Sequence, residues 1–127
     1  MFEIVFYRDK DGKSEIAELL DELKLKSETD KSARINREKI MTYIEALTRY
    51  GTRIGKPFVK HIEGDLWELR PLRNRIFFFY WRDNKFIFVH WFIKKTQKTP
   101  KREIELAKNK MKDFVERTGG YEGYKRN

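Results

Sequence analysis

Residues 64–100 read GDLWELRPLRNRIFFFYWRDNKFIFVHWFIKKTQKTP, a stretch dense in aromatic residues and bordered by cations. It contains three segments that predict β-strands separated by short polar turns, namely Leu66–Pro71, Arg75–Trp81 and Lys85–Ile93. The last two segments are apolar almost without alternation, which is typical of strands that are covered on both faces. This stretch therefore predicts a sheet with a buried centre.

The chain before this stretch predicts two more strands and two helices. The alternation of Phe2, Ile4 and Phe6 predicts an opening strand that ends at a turn over residues 9–12, and Phe58–Ile62 predicts the first strand of a meander. Between these strands, apolar residues recur at helical spacing in two segments. They are Ile16, Leu19, Leu20 and Leu23 in the first, and Ala33, Ile40, Tyr43, Ile44 and Leu47 in the second, which Gly51 closes.

The chain after Ile93 predicts a basic C-terminal helix. Thr99 and Pro100 suit the N-cap and the first helical position, and we expect the helix to run to about Arg117. The Gly-rich, polar residues 118–127 predict a flexible tail. We therefore predict one α+β domain over residues 1–117, with two N-terminal helices packed on a mainly antiparallel sheet of about five strands and a C-terminal helix.

The charge of the chain indicates a polyanionic partner. The 127 residues carry a formal net charge of +9, and 39% apolar content at this length is enough for one compact domain. The charge is uneven, because residues 1–33 have a net charge of −3 and residues 34–127 a net charge of +12. A basic field attracts phosphate backbones, although solubility alone would also explain it.

The composition argues against several classes of site. The chain has no cysteine, which excludes disulfides and thiolate zinc sites, and with His61 and His90 as its only imidazoles we expect no metal or cofactor. It has no Gly-rich phosphate loop. It also lacks a secretory leader pattern and an apolar run of membrane-spanning length, so we expect a cytoplasmic protein without membrane contact.

Cations lie on or beside the consecutive strands of the predicted meander. Glu68 and Arg70 have the same strand parity and should project from one face of the sheet. Guanidinium groups in such a cluster can hold a scissile phosphate and stabilise the charge of its transition state, whereas cations at a solvated sheet edge would only discourage aggregation. The cations in question are Lys60, Arg70, Arg73, Arg75, Lys94, Lys95 and Lys98.

Glu68 is the one carboxylate placed centrally among these cations in the sequence. It is a candidate general base for removing a ribose 2′-hydroxyl proton, but the role of ion-pair partner for Arg70 or Arg73 is favoured. His90 lies in an apolar run and is expected to be a hydrogen-bonded core residue, while His61 is expected to be exposed.

Most of the aromatic side chains are expected to be core residues rather than platforms for RNA bases. Trp67 and Trp81 remain open to base stacking. The residues expected to be buried are Phe77, Phe79, Phe86, Phe88 and Phe92.

Four motifs together resemble the RelE/ParE toxin superfamily, and specifically the phage-derived, HigB-like branch of type II toxin-antitoxin systems. The resemblance covers roughly residues 2–115. The motifs are Gly55-Lys56-Pro57-Phe58-Val59-Lys60, Gly64-Asp65-Leu66-Trp67-Glu68-Leu69-Arg70, Arg73-Asn74-Arg75-Ile76-Phe77-Phe78, and Lys94-Lys95-Thr96-Gln97-Lys98-Thr99-Pro100 with Glu103 and Ala107 after it. The resemblance implies a RelE-like fold with a curved sheet, and a metal-independent endoribonuclease that cleaves messenger RNA in the ribosomal A site.

The resemblance also implies roles for individual residues. The family places a basic residue at the lead-in to its second strand, on that strand, before the third strand's apolar run and after the fourth strand. The matching positions here are Lys60, Arg70, Arg75 and Lys95, with Arg73, Lys94 and Lys98 as close neighbours. Together with the candidates above, the predicted catalytic residues are Arg70, Arg75, Lys95 and Glu68, and the predicted RNA-binding residues are Lys60, Arg73, Lys94, Lys98 and Trp67. This chain has residues 99–101 (TPK) where family members often carry a C-terminal Tyr or His-Tyr, which leaves the general acid open.

The partners implied by the resemblance are a cognate helix-turn-helix antitoxin, the ribosome and messenger RNA, with operator DNA reached only through the antitoxin. The acidic segment Glu15–Glu22 is either a docking face for the antitoxin or, as favoured, a solvated face. The alternatives are a ParE-like gyrase poison with the same fold, a non-catalytic RNA-binding module, and a degenerate toxin kept as an antitoxin partner. The density of Arg and Lys on the sheet argues against the gyrase poison.

Overall fold

The computed structural model describes residues 1–119 and has the predicted α+β architecture. The strands are β1 (Glu3–Phe6), β2 (Val59–Glu63), β3 (Leu66–Leu69), β4 (Asn74–Trp81) and β5 (Lys85–Ile93). The helices are α1 (Glu15–Lys26), α2 (Lys31–Tyr50) and α3 (Lys101–Thr118), and a 3₁₀ turn at Gly51–Ile54 follows α2. The predicted fold class is confirmed.

The five strands form one sheet in the order β1-β5-β4-β3-β2. Strands β2 to β5 are an antiparallel meander, as predicted, and β1 lies parallel to β5 at the edge. Residues 82–84 connect β4 to β5, and Asp83 and Asn84 there have positive φ angles of 62° and 58°, which Asp and Asn adopt more readily than most residues with a side chain. Strand β3 ends at Leu69, two residues before the predicted end at Pro71, which has no N–H for a ladder hydrogen bond.

Helices α1 and α2 cover one face of the sheet. The Ser14 side chain caps α1 by accepting a hydrogen bond from the Ala17 N–H, and Asp30 caps α2 in the same way. Gly51 ends α2 with a φ of 66°, and a Cβ at this position would lie 2.8 Å from the Phe2 ring. The buried residues of this core are Ile16, Leu23, Ala33, Ile40, Ile44, Leu47, Val59, Leu69, Ile76, Phe78, Phe86 and Phe88.

Helix α3 covers the opposite face, so β4 and β5 are buried on both sides as predicted. Its Ala107 packs in a second core with Leu66, Phe77, Phe79, Trp81, Ile87 and Val89. None of the three helices within residues 1–119 is long and apolar enough to cross a membrane.

The ends of α3 differ from the prediction. The helix begins at Lys101 with Pro100 as its N-cap and without a side-chain capping bond, so the prediction of Thr99 as the N-cap is wrong. The Thr99 hydroxyl donates instead to Glu68. At the other end, α3 continues to Thr118, and residues 120–127 of the predicted flexible tail lie outside the described residues.

Candidate functional site

Strand register brings the predicted site residues to one corner of the sheet. Lys60 on β2 lies opposite Glu68 on β3, and Glu68 lies opposite Phe77 on β4. Because paired residues project to the same side, all three side chains are on the face that α3 covers. Arg70 follows the end of β3 and Arg75 lies at the start of β4, so the two guanidinium groups come together at this edge.

Glu68 is the buried centre of the cluster, with 1% of its surface exposed. Its Oε1 lies 3.4 Å from Arg70 Nε and 3.9 Å from Arg75 Nε. Its Oε2 accepts a hydrogen bond of 3.2 Å from the Thr99 hydroxyl. Within residues 1–119, neither Glu68 Oε1 nor Arg70 Nε has a hydrogen-bond partner, although the two atoms face each other.

Burial and charge act in opposite directions on Glu68. Burial raises the pKa of its carboxyl above the usual value, and the charges of Arg75 and Arg70 and the Thr99 hydrogen bond only partly offset this rise. Burial also lowers the pKa of Arg75, and the neighbouring positive charge of Arg70 lowers it further. The cluster therefore has two cations held close together by one desolvated carboxylate.

Arg75 is bound to the backbone of the β3–β4 turn. Its side chain is 8% exposed, and Nη1 donates to the carbonyls of Leu72 at 2.9 Å and Asn74 at 2.8 Å. Leu72 has a φ of 57°, an unfavourable conformation for a residue with a Cβ. Arg75 thus braces a strained turn at the same time as it pairs with Glu68.

Asn74 fastens the same turn to the rest of the domain. Its amide nitrogen donates to Asn36 on α2 at 2.7 Å and to the Pro71 carbonyl at 3.0 Å. Its amide oxygen accepts from the Trp91 indole at 3.1 Å. No sequence pattern marks Asn74 as a site residue, because its contacts with Asn36 and Trp91 depend on how α2 and β5 pack around the turn.

Residues 94–100, the cationic loop, connect β5 to α3 above this cluster. Arg73 donates from Nε and Nη2 to the Lys94 carbonyl at 3.3 and 3.1 Å, and the Lys94 N–H donates back to the Arg73 carbonyl at 2.7 Å. Lys95 and Lys98 are exposed on this loop. Arg73 therefore anchors the loop as well as adding charge.

The cationic loop borders two adjacent concavities. A narrow cleft of about 10 Å³, room for roughly one water molecule, is lined by Lys60, Arg70, Arg75, Phe92 and residues 94–100. An open groove of about 420 Å³ is lined by Leu72, Arg73, Arg75 and residues 94–97. Glu68 does not line the cleft, but it contacts three residues that do, Arg70, Arg75 and Thr99.

The structure brings together Lys60, Glu68, Arg70, Arg73, Arg75 and the three lysines of the loop, Lys94, Lys95 and Lys98. Trp67 does not join them. It lies opposite Phe78, so its ring is on the α1/α2 face, where it lines a separate cavity of about 500 Å³. The prediction that Trp67 contacts RNA beside these cations does not fit this geometry, because successive residues of a strand point to opposite faces.

Both histidines and four of the five phenylalanines lie where the sequence predicted. His90 is 5% exposed, and its Nε2 lies 2.7 Å from Glu103 Oε1 while its Nδ1 lies 2.8 Å from Lys110 Nζ. Since the Lys110 ammonium can only donate, Nε2 carries the proton and donates to Glu103. His61 is exposed. Phe77, Phe79, Phe86 and Phe88 are buried, and Phe92 is partly buried at the cleft.

Comparison with known proteins identifies a family. Residues 20–112 match the family described as phage-derived protein Gp49-like (DUF891). No curated protein matches the chain. Because the match spans most of the domain, from α1 to α3, the chain belongs to the Gp49-like family, a family of RelE/HigB-type toxin-like proteins.

Proposed function

We propose that this member of the Gp49-like family is a HigB-like toxin that cleaves messenger RNA on the ribosome and so inhibits translation in the cytoplasm. Membership of a RelE/HigB-type toxin-like family is compatible with a toxin of a toxin-antitoxin system and implies a cognate antitoxin. A helix-turn-helix protein that also binds the operator is the antitoxin we propose. Ribosome-dependent RNA cleavage is the finer part of this proposal and rests on the site.

The convergence of cations from four elements of the fold carries the proposal. Lys60 comes from β2, Arg70 from the end of β3, Arg75 from β4, and Lys94, Lys95 and Lys98 from the cationic loop. These cations repel one another, so bringing them together costs free energy unless negative charge compensates them. The single buried carboxylate of Glu68 faces only Arg70 and Arg75. A polyanion with regularly spaced phosphates is the ligand that fits the remaining positive charge.

The chemistry that we propose for the site is phosphoryl transfer within the RNA chain. The ribose 2′-oxygen attacks the adjacent phosphorus, the bond from phosphorus to the 5′-oxygen breaks, and the products carry a 2′,3′-cyclic phosphate and a 5′-hydroxyl. Arg70, which is 26% exposed and borders the cleft, is the guanidinium best able to contact the scissile phosphate. Lys95 and Lys98 hold the strand, and no metal ion is required.

Two of the predicted catalytic residues, Arg75 and Glu68, are more deeply buried than we expect for side chains that contact the scissile phosphate. Arg75 donates to the carbonyls of Leu72 and Asn74 and pairs with Glu68, and Glu68 is 1% exposed and does not line the cleft. This favours the ion-pair role for Glu68, in which it holds Arg70 and Arg75 side by side. If Glu68 were instead the general base, Glu68→Gln would abolish the rise of kcat with pH on the acidic side of the pH profile.

The decisive experiment is primer extension on messenger RNA translated in a reconstituted system, with wild-type protein, Arg70→Ala and Arg49→Ala. Arg49 is exposed on α2 and provides the same loss of charge away from the cleft. We expect codon-phased cuts with wild-type and Arg49→Ala proteins and a 10²- to 10³-fold loss of rate with Arg70→Ala, roughly the cost of one transition-state donor.

The other outcomes separate the competing functions. Intact transcripts together with cleaved plasmid DNA in a gyrase assay would overturn the proposal in favour of a gyrase poison. RNA that is bound but never cut would indicate a non-catalytic RNA-binding module. Equal cutting by wild-type and Arg70→Ala proteins would show that cleavage does not use this cleft.

A further inference from the structure

We propose that Thr99 is a positioning residue that latches the cationic loop to Glu68 and so sets where its lysines stand relative to Arg70 and Arg75. This inference rests on the proposed function, since it concerns how the same cleft is assembled. Thr99 was predicted as a helix cap, yet its hydroxyl donates to Glu68 Oε2 over a sequence separation of 31 residues.

Side-chain hydrogen bonds connect the cationic loop to the rest of the domain near both of its ends. At its start, Arg73 and Lys94 exchange three hydrogen bonds of 2.7 to 3.3 Å. At its end, Thr99 bonds to Glu68. Between these points the Thr96 hydroxyl donates within the loop, to the Lys98 carbonyl at 2.8 Å. Lys95 and Lys98 are therefore carried by a short exposed segment whose second end is held by the Thr99 hydrogen bond and by the start of α3.

Glu68 links this loop to the guanidinium groups. Oε2 accepts from Thr99, while Oε1 faces Arg70 and Arg75. With one oxygen oriented by Thr99, the other is aimed at the two arginines, and the carboxylate cannot rotate without breaking the Thr99 bond. The latch thus fixes the lysine-bearing loop and the arginine pair relative to one buried group, which is the type of rigid support that precise catalytic geometry requires.

Thr99→Val tests the latch because valine keeps the shape of threonine and removes only the hydroxyl. Since α3 has no side-chain cap, this change is not expected to weaken the helix. Thr99→Ser restores the hydroxyl, and Thr42→Val makes the same change at an exposed position of α2. We expect Thr99→Val to lower kcat/KM for RNA cleavage about tenfold or more, the serine variant to recover most of it, and Thr42→Val to have no effect.

Two further measurements read the latch without RNA. The pKa of Glu68, followed by carbon-13 NMR of its carboxyl, should rise in Thr99→Val, because the lost hydrogen bond favours the ionised form. Backbone NMR order parameters over residues 95–99 should fall in the same variant. Both should return towards wild type in Thr99→Ser.

The outcomes distinguish a failed latch from a failed function. If the wild-type protein cuts no RNA, the proposed function fails, whereas a raised Glu68 pKa and lower order parameters in Thr99→Val would still establish the latch. If Thr99→Val leaves the Glu68 pKa, the order parameters and any cleavage at wild-type values, the latch is refuted.

Discussion

Arg75 and Arg70 have the same charge and stand beside the same carboxylate, but we expect them to contribute very differently to stability. The Arg75 side chain is 8% exposed and that of Arg70 is 26% exposed. Arg75 Nη1 also donates to two backbone carbonyls, at 2.8 and 2.9 Å. Arg75→Ala therefore removes two charge-assisted hydrogen bonds and one of the counter-charges of a buried carboxylate.

The expected cost of Arg75→Ala follows from these contacts. A hydrogen bond from a charged donor contributes about 1.5–3 kcal/mol, but both bonds share one nitrogen, and Leu72 lies at an exposed turn where water can replace the lost donor. Losing a partner of buried Glu68 adds to the cost, and ending the burial of the Arg75 charge reduces it. We expect a net loss of about 2–4 kcal/mol in the free energy of unfolding.

For Arg70→Ala the expected loss is about 1 kcal/mol or less, because its nearest contact with Glu68 is 3.4 Å and its side chain is partly solvated. The assay is urea unfolding followed by circular dichroism, with Arg49→Ala as the control for loss of an exposed arginine. A cost for Arg75→Ala that is below about 1 kcal/mol, or no larger than that for Arg70→Ala, would refute this account of the turn.

Three other changes test further parts of the structure. Leu72→Gly should raise the free energy of unfolding by about 0.5 kcal/mol, and with it the urea midpoint, because glycine adopts the positive φ of 57° without strain. A lower midpoint would contradict this. Phe77→Ala, at a fully buried position, should cost about 3–5 kcal/mol in the same assay. Burial lowers the pKa of His90 below its usual value of 6.5. Between pH 6.5 and that lowered pKa, the unfolded chain binds a proton at His90 that the folded protein does not, so the free energy of unfolding should fall as the pH falls. His90→Gln should flatten this part of a pH series of urea midpoints; an unchanged slope would assign the effect to other groups.

Much of the fold could be predicted because its signals are local. Alternation in β1, helical spacing in α1 and α2, and apolar runs in β4 and β5 reflect which side of each element is buried, and neighbouring residues carry that information. Gly51 was predicted as the end of α2 for the same reason, although its contact with the Phe2 ring is a tertiary constraint that also requires glycine.

The site could be predicted only in part. Strand parity was enough to put Glu68 and Arg70 on one face, and it also separates Trp67 from them, since Trp67 precedes Glu68 directly. The depth of Glu68 and Arg75 was not predictable, because it depends on α3 and the cationic loop covering that corner of the sheet.

Local patterns in the chain were sufficient to predict the number, type and order of the helices and strands and the concentration of positive charge around the sheet. Which cations meet, and what Thr99 contacts, depends on how these elements pack together. A threonine next to Pro100 suits a helix cap, but the N–H groups at an exposed helix terminus can donate to water instead. A buried carboxylate oxygen has no access to water and needs a donor from the protein. The hydroxyl therefore bonds to Glu68 on a distant strand, a preference that no local stretch of sequence records.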